Sequence, residues 1–273
     1  MNRVISVINQ KGGVGKTTTV INLSSAIARL GHPVLVIDMD PQANVSQAMG
    51  LQHPHEALQT TAKLLLDVRD GDVPASPWYD TVEPGINLIY GHLSLSTLER
   101  NLLGKAMPGL RLRSLLQKIA LDEDHVVLID CPPSLSLLTV NALVASNTFI
   151  IPLDAGNRFA LDGYRDLMEV VSEVREINEG LFVLGMLLNR FDGRKNIHKS
   201  MADNVRQRFG KTVFETVIPD AVKLQESTAA QNTIFKHERR STAAQGFRDL
   251  GKEVLDRLGL SAGEWREDAA AEG

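Results

Sequence analysis

The sequence predicts a doubly wound α/β fold, a mostly parallel sheet with helices on both faces. Short apolar runs alternate along the chain with segments of helical periodicity. The runs are continuous rather than alternating in hydrophobicity, the pattern of strands covered on both sides. The first run ends in a glycine-rich loop that opens into a helical segment. This order calls for parallel strands joined by right-handed crossovers.

Residues 3–9 (Arg-Val-Ile-Ser-Val-Ile-Asn) read as a buried strand, broken by Gly12, Gly13 and Gly15. From Thr17, the positions Val20, Leu23, Ile27 and Leu30 recur at helical spacing, and Gly31 ends that helix. Val-Leu-Val-Ile at 34–37 is the next strand. Residues 41–85 are irregular, punctuated by Pro54, Pro74, Pro77 and Pro84, with a helix expected at 61–68. A strand at 86–90, a helix at 110–119 and a strand at 126–129 ending on Asp130 follow. Next come a strand at 148–152, a helix carrying Leu161, Tyr164, Leu167, Val171 and Val174, and strands at 181–188 and 213–218. Phe247, Leu250, Val254 and Leu258 mark a final helix. No repeat and no linker interrupts this run, so residues 1–260 read as a single domain. Residues 261–273, acidic and Ala-rich, read as a flexible tail.

Composition narrows the function. The chain has 273 residues, 43% hydrophobic and 23% charged, an ordinary globular balance. Aromatics at 5% argue against a base-stacking platform for single strands. Cys131 is the only cysteine, which excludes a disulfide framework or a paired-cysteine metal knuckle within one chain and fits a reducing, cytoplasmic setting. The start, Met1-Asn2-Arg3-Val4-Ile5-Ser6, does not read as a signal peptide. Residues 129–145 come nearest to a membrane span, and Asp130, Pro132 and Pro133 break them. The formal net charge of −4 means that any nucleic-acid site must gather its basic residues locally.

Lys11-Gly12-Gly13-Val14-Gly15-Lys16-Thr17-Thr18 carries the strongest chemical signal. It sits between a strand and a helix, where glycines let several N–H groups point at one anion and the helix adds its positive dipole end. Lys16 can reach the β- and γ-phosphates, and the Thr17 hydroxyl is placed to ligate Mg²⁺. A strict G-x-x-x-x-G-K-[ST] match fails, because its first position is Gln10.

With its extra lysine, this octapeptide resembles the deviant Walker A motif of the ParA/MinD family of P-loop ATPases, and most closely that of ParA/Soj-like partitioning ATPases. The resemblance runs from Val4 to about Leu258. It implies a P-loop NTPase fold with ATP and Mg²⁺ as ligands, in which Lys11 reaches across a homodimer interface to the partner's ATP. Val36-Ile37-Asp38-Met39-Asp40-Pro41-Gln42 is similar to the family's second acidic motif, with Asp40 orienting the attacking water near the metal. Leu128-Ile129-Asp130-Cys131-Pro132-Pro133 is similar to Walker B, with Asp130 holding a Mg²⁺-bound water. Asn189 and Pro219 match positions that flank the adenine. Catalytic roles thus fall on Lys11, Lys16 and Asp40, and metal roles on Thr17, Asp40 and Asp130. The segment from Pro152 to Gly163 keeps a Phe-Ala-Leu-acid-Gly core but departs from partitioning relatives in the residues before it, which leaves the partner open.

Basic residues cluster late in the chain. Arg194, Lys195, Lys199 and Arg206 form one group, Lys236, Arg239 and Arg240 another, with Lys223 between. By resemblance they bind DNA nonspecifically through phosphates in the ATP dimer; a solvated helix face is the plain alternative. The implied partner is a ParB-like or cargo adaptor protein, and the implied location is cytoplasmic and nucleoid-associated. A MinD-like membrane-cycling switch would end in a basic amphipathic helix. The acidic ending Glu264-Trp265-Arg266-Glu267-Asp268 opposes it, so no membrane is expected. The rival of another class is a metabolic ATP-dependent enzyme on the same fold.

Overall fold

The structure, a computed structural model, describes residues 3–69, 71, 73–102, 104–157 and 159–267. In chain order the elements are β1 (Arg3–Val7), α1 (Lys16–Arg29), β2 (Val34–Asp38), α2 (Asn44–Met49), α3 (Thr61–Asp67), β3 (Tyr79–Asp80), β4 (Ile86–Ile89), α4 (Leu95–Leu102), α5 (Arg111–Lys118), β5 (Val126–Asp130) and α6 (Leu137–Ala145). The second half adds β6 (Thr148–Asp154), α7 (Tyr164–Arg175), β7 (Phe182–Phe191), α8 (Asn196–Phe209), β8 (Val213–Pro219), α9 (Val222–Ala229), α10 (Ile234–His237) and α11 (Thr242–Arg257).

One sheet holds all eight strands in the order β3-β4-β2-β5-β1-β6-β7-β8. Every pairing is parallel except that of the short edge strand β3 with β4. The predicted doubly wound sheet is therefore present. β1 lies between β5 and β6, so the connections on its two sides diverge and leave a crevice at the carboxyl edge. β1, β2 and β5 contribute almost wholly buried runs, which is why their hydrophobicity is continuous. One face of the sheet is covered by α3 to α8 and the other by α1, α2, α10 and α11.

Elements that sequence periodicity missed have physical reasons. α6 is apolar on most of its circumference and packs among other elements, so no polar stripe marks it. α8 buries only His198, Ala202 and Val205, and its many polar residues hide the helical period. At the sheet's end, Glu253 of α11 accepts the Glu215 and Thr216 N–H groups at 2.9 and 3.0 Å, which blunts the open edge of β8.

The tail departs from expectation. Residues 261–267 are docked against the C-terminal end of α1. The Gly263 N–H donates to Leu30 O at 3.0 Å and the Arg266 N–H to Arg29 O at 2.9 Å. The Arg29 guanidinium donates to Glu267 O at 2.5 Å. Trp265 packs on Phe235 with ring centroids 5.2 Å apart, and the Arg248 guanidinium lies 4.3 Å from the Trp265 centroid. Composition suggested fraying; a tryptophan with an aromatic partner and a cation over it supplies the ordering free energy. Residues 268–273 of the expected tail lie outside the described residues. Trp265→Ala should lower the free energy of unfolding by about 1–2 kcal/mol, read from urea melts. An unchanged midpoint would mean that the docked segment contributes nothing to stability.

Candidate functional site

The loop leaving β1 is held before it reaches the helix. Asn9 donates its amide to Pro152 O at 2.8 Å and accepts the Lys11 N–H at 2.9 Å, tying the loop to β6. Gly13 and Gly15 adopt φ of 74° and 91°, left-handed values that turn the chain back on itself ahead of α1. Gly15 is the residue before the helix, so the first N–H groups of α1 open into the crevice. The predicted strand–loop–helix context is in place, with the helix starting at Lys16.

Lys16 is buried at 7% exposure, and its ammonium donates to Lys11 O at 3.0 Å, so it is folded along its own loop. Burial lowers its pKa, opposed by the nearby Asp130, Cys131 and Asp40. Lys11 behaves differently. Its ammonium donates to Phe159 O at 3.3 Å in an exposed contact, and Phe159 itself is 63% exposed. The segment that departs from the partitioning pattern thus abuts the phosphate loop; Arg158 within it lies outside the described residues. Gln10 also touches this segment, at the spot a Cβ on Gly163 would occupy.

Three carboxylates close the other side. Asp38 and Asp130 end neighbouring strands in register, and both are fully buried. Thr17 donates its hydroxyl to Asp130 Oδ2 at 2.8 Å, whereas Asp130 Oδ1 is buried with no protein partner. Burial, and then the charge of Asp38, raise the Asp130 pKa well above the usual carboxylate value. Asp38 accepts the Asp40 N–H at 3.1 Å and the Ser46 N–H and hydroxyl at 2.9 and 2.7 Å. Burial nevertheless raises its pKa to about 6, against those hydrogen bonds. Asp38 therefore builds the turn into α2 rather than facing the crevice. Asp40, 7% exposed, accepts the Gln42 N–H at 2.9 Å and borders the crevice with Gln42 and Asn44. Cys131 is a buried thiol whose pKa burial pushes up, so it is no nucleophile.

Two adjoining cavities follow from this arrangement. The first, about 310 Å³, is bounded by Gly12, Gly13, Lys16, Thr17, Asp40 and Pro133. The second, about 350 Å³ and mostly apolar, is bounded by Asn189, Ile218, Pro219, Leu224, Thr228 and Phe247. Gly15, Thr18 and Arg190 border both. A cradle lined by Lys16, Thr17, Thr18 and Asp40 beside an apolar slot suits the two ends of a nucleotide. The expected residues Gly12 to Thr18, Asn189 and Pro219 are brought together here; Val14 is the exception, buried at 2% exposure beneath the loop. Arg190 is held in a left-handed conformation (φ 54°) and paired with Asp154 at 3.5 Å, and sequence reasoning missed the α9 wall of Leu224 and Thr228.

A magnesium ion fits on one observation, the partnerless Asp130 Oδ1 beside the Thr17 hydroxyl. Among the described residues no group of three His, Cys, Asp or Glu side chains could hold a metal ion.

A family model described as an AAA domain matches residues 2–183. The chain is 38% identical to the chromosome partitioning protein ParA of Caulobacter vibrioides, over 93% of this chain and 94% of that one. This chain belongs to the ParA/MinD family of P-loop ATPases. It is also 36% identical to the sporulation initiation inhibitor protein Soj of Bacillus subtilis, over 93% of this chain and 98% of that one. A similar crystal structure is that of cobyrinic acid a,c-diamide synthase from Mycobacterium smegmatis with bound ATP analog and magnesium. It has a TM-score of 0.80 and 31% identity, and covers 95% of this chain and 96% of that one.

The basic residues expected to bind DNA are exposed, and most of them have a partner. Arg194 is held at 3.0 Å by Asp192, and Lys195 lies between Asp192 and Asp220 near the apolar cavity. Lys223 pairs with Glu226 at 2.9 Å. Arg206 reaches Glu215 O at the far end of α8, and Lys199 lies earlier on the same helix. Lys236 donates to Val82 O beside the buried Glu83–Arg29 pair, and Arg239, next to Arg240, pairs with Glu267 at 3.1 Å. No helix among the described residues is long and apolar enough to cross a membrane.

The buried carboxylates predict a pH effect. A carboxyl whose folded pKa is raised binds its proton more tightly in the folded state, so its stability contribution falls as pH rises through about 6. Wild type should therefore gain on Asp38→Asn by on the order of 1 kcal/mol in urea unfolding between pH 7.5 and 5.5. A constant difference across that range would place the Asp38 pKa near its ordinary value.

Proposed function

We propose that this chain binds MgATP in the crevice, dimerises around it, and in that state binds DNA nonspecifically to partition or position a cargo. The observation that carries this reading is the pair of lysines on one loop. Lys16 is buried along the loop and lines the cradle, whereas Lys11 does not line it and donates to the carbonyl of the exposed Phe159. A second cation outside its own cradle suits a phosphate held by another subunit. Family membership supports ATP as the substrate.

In this reading the Gly12 to Thr18 backbone and Lys16 hold the phosphates, and the apolar slot of Asn189 and Pro219 takes the adenine. Thr17 and Asp130 would hold Mg²⁺, which neutralises charge on the β- and γ-phosphates. Asp40 orients the water that attacks the γ-phosphorus, giving ADP and phosphate. Hydrolysis is slow until a ParB-like or cargo adaptor completes the site, and loss of the γ-phosphate releases the dimer from DNA. The exposed bases serve DNA through phosphate contacts. Exposed ion pairs such as Arg239–Glu267 are individually weak, so phosphates can replace their carboxylates. The protein would then be cytoplasmic and nucleoid-associated.

The synthase among the similar structures favours a second reading, a metabolic enzyme that uses ATP on a small molecule. A Lys11 outside the cradle has no task in it.

Co-sedimentation with nonspecific duplex DNA separates the two. Salt-sensitive binding with ATP, absent with ADP and in Lys16→Ala, is expected; absence of binding in every nucleotide state would sink the DNA reading. Replacing Arg239 and Arg240 by Glu should weaken DNA binding at least about tenfold while ATP turnover stays unchanged. Unaltered DNA affinity would move the contact to another of the basic groups. Asp40→Ala should retain ATP binding and lose about 100-fold in single-turnover hydrolysis; wild-type rates would remove Asp40 from the reaction.

A further inference from the structure

Asn189 does more in this structure than line the apolar slot. Its side chain is buried, at 5% exposure. Its amide nitrogen donates to Val14 O at 2.9 Å and lies 3.4 Å from the buried Thr19 hydroxyl. The loop passes so close that a Cβ on Gly15 would sit 2.7 Å from that nitrogen. Gly15 is therefore required for its left-handed backbone and for this contact as well. The Asn189 backbone is fixed in turn. It pairs in register with Asp154 of β6, and its carbonyl accepts the Ala155 N–H at 2.9 Å.

The chemistry follows from one peptide unit. The Val14 carbonyl and the Gly15 N–H belong to the same trans peptide and point in opposite directions. A bond that draws the carbonyl toward β7 turns that N–H away from β7. Gly15 borders the polar cavity, where an anion needs N–H donors. The bond is buried, so water does not compete for it.

We propose that Asn189 is a positioning residue for the phosphate loop: by holding the Val14 carbonyl it aims the Gly15 N–H at bound phosphates. This rests on the ATP-binding reading above and goes beyond a contact with the base. Asn189 Oδ1 is buried without a protein partner, which leaves that atom for the base while the nitrogen serves the loop. One side chain then joins the two cavities.

The test uses a ligand without a base. Affinities for ATP and for inorganic tripolyphosphate, both with Mg²⁺, are measured by calorimetry on wild type, Asn189→Ala and Asn189→Asp. Loss of the bond should weaken both ligands by a similar factor, about tenfold for Ala. Asp places an oxygen against Val14 O and should weaken both further, to about 100-fold. Weakened ATP with unchanged tripolyphosphate would reduce Asn189 to a base contact and overturn the proposal. A lowered melting temperature with both affinities intact would reduce it to packing, with the same result. Should either variant fail to melt cooperatively, Asn189→Ser, whose hydroxyl is too short to reach Val14 O, is held to the same two-ligand criterion. If wild type binds neither ligand, the ATP-binding reading itself falls, and the proposal with it.

Discussion

The pairing of β1 with β5 on one side and β6 on the other is the constraint on which the rest of the molecule depends. It places the loop after β1 where connections leave in both directions, so the crevice is a consequence of topology. Part of what surrounds the site arrives by strand register. Asp130 ends β5, Asp38 ends β2 and Asn189 lies near the end of β7, so three carboxyl or amide side chains reach one edge without any loop having to carry them. Side chains set by a sheet keep their positions far better than side chains on loops, which suits a site that must hold phosphates closely.

The edge is electrostatically unbalanced. Two fully buried carboxyls in adjacent register positions disfavour each other's ionised form, and burial disfavours both. Opposite them lies a buried lysine whose own charge burial also disfavours. Asp38 finds three donors in the turn to α2, whereas Asp130 has one donor and an orphan oxygen. The first carboxyl is thus committed to structure and the second is left for a ligand. Identical residue types acquire different tasks from the donors around them.

At the opposite end of α1 the molecule is held by a different kind of contact. Arg29 pairs with the buried Glu83 at 3.1 Å, Thr233 donates to the same carboxylate at 2.6 Å, and the docked residues 263–267 complete the cluster. Breaking one partner of such a buried group is costly, because the remaining charge is left without compensation. Arg239 and Lys236 sit on the rim of this cluster, so part of the basic surface is anchored to the scaffold rather than carried on loose ends.

The sequence by itself determined the class of fold, because buried parallel strands must be continuously apolar and their crossovers must be helical. It also located Lys11 to Thr18, Asp40 and Asp130, since a glycine-rich turn between strand and helix and a carboxylate closing an apolar run are local patterns. It did not reveal α6 or α8, whose burial comes from neighbours distant in sequence, and it misread residues 261–267, whose order depends on Phe235 and Arg248. Only the tertiary structure decided that Asn189 grips the phosphate loop and that Asp130 keeps an open oxygen while Asp38 serves the turn. The Asn189–Val14 and Thr17–Asp130 contacts join atoms more than a hundred residues apart, and the Asp38 turn is a matter of which donors face one carboxylate; local periodicity carries no record of either.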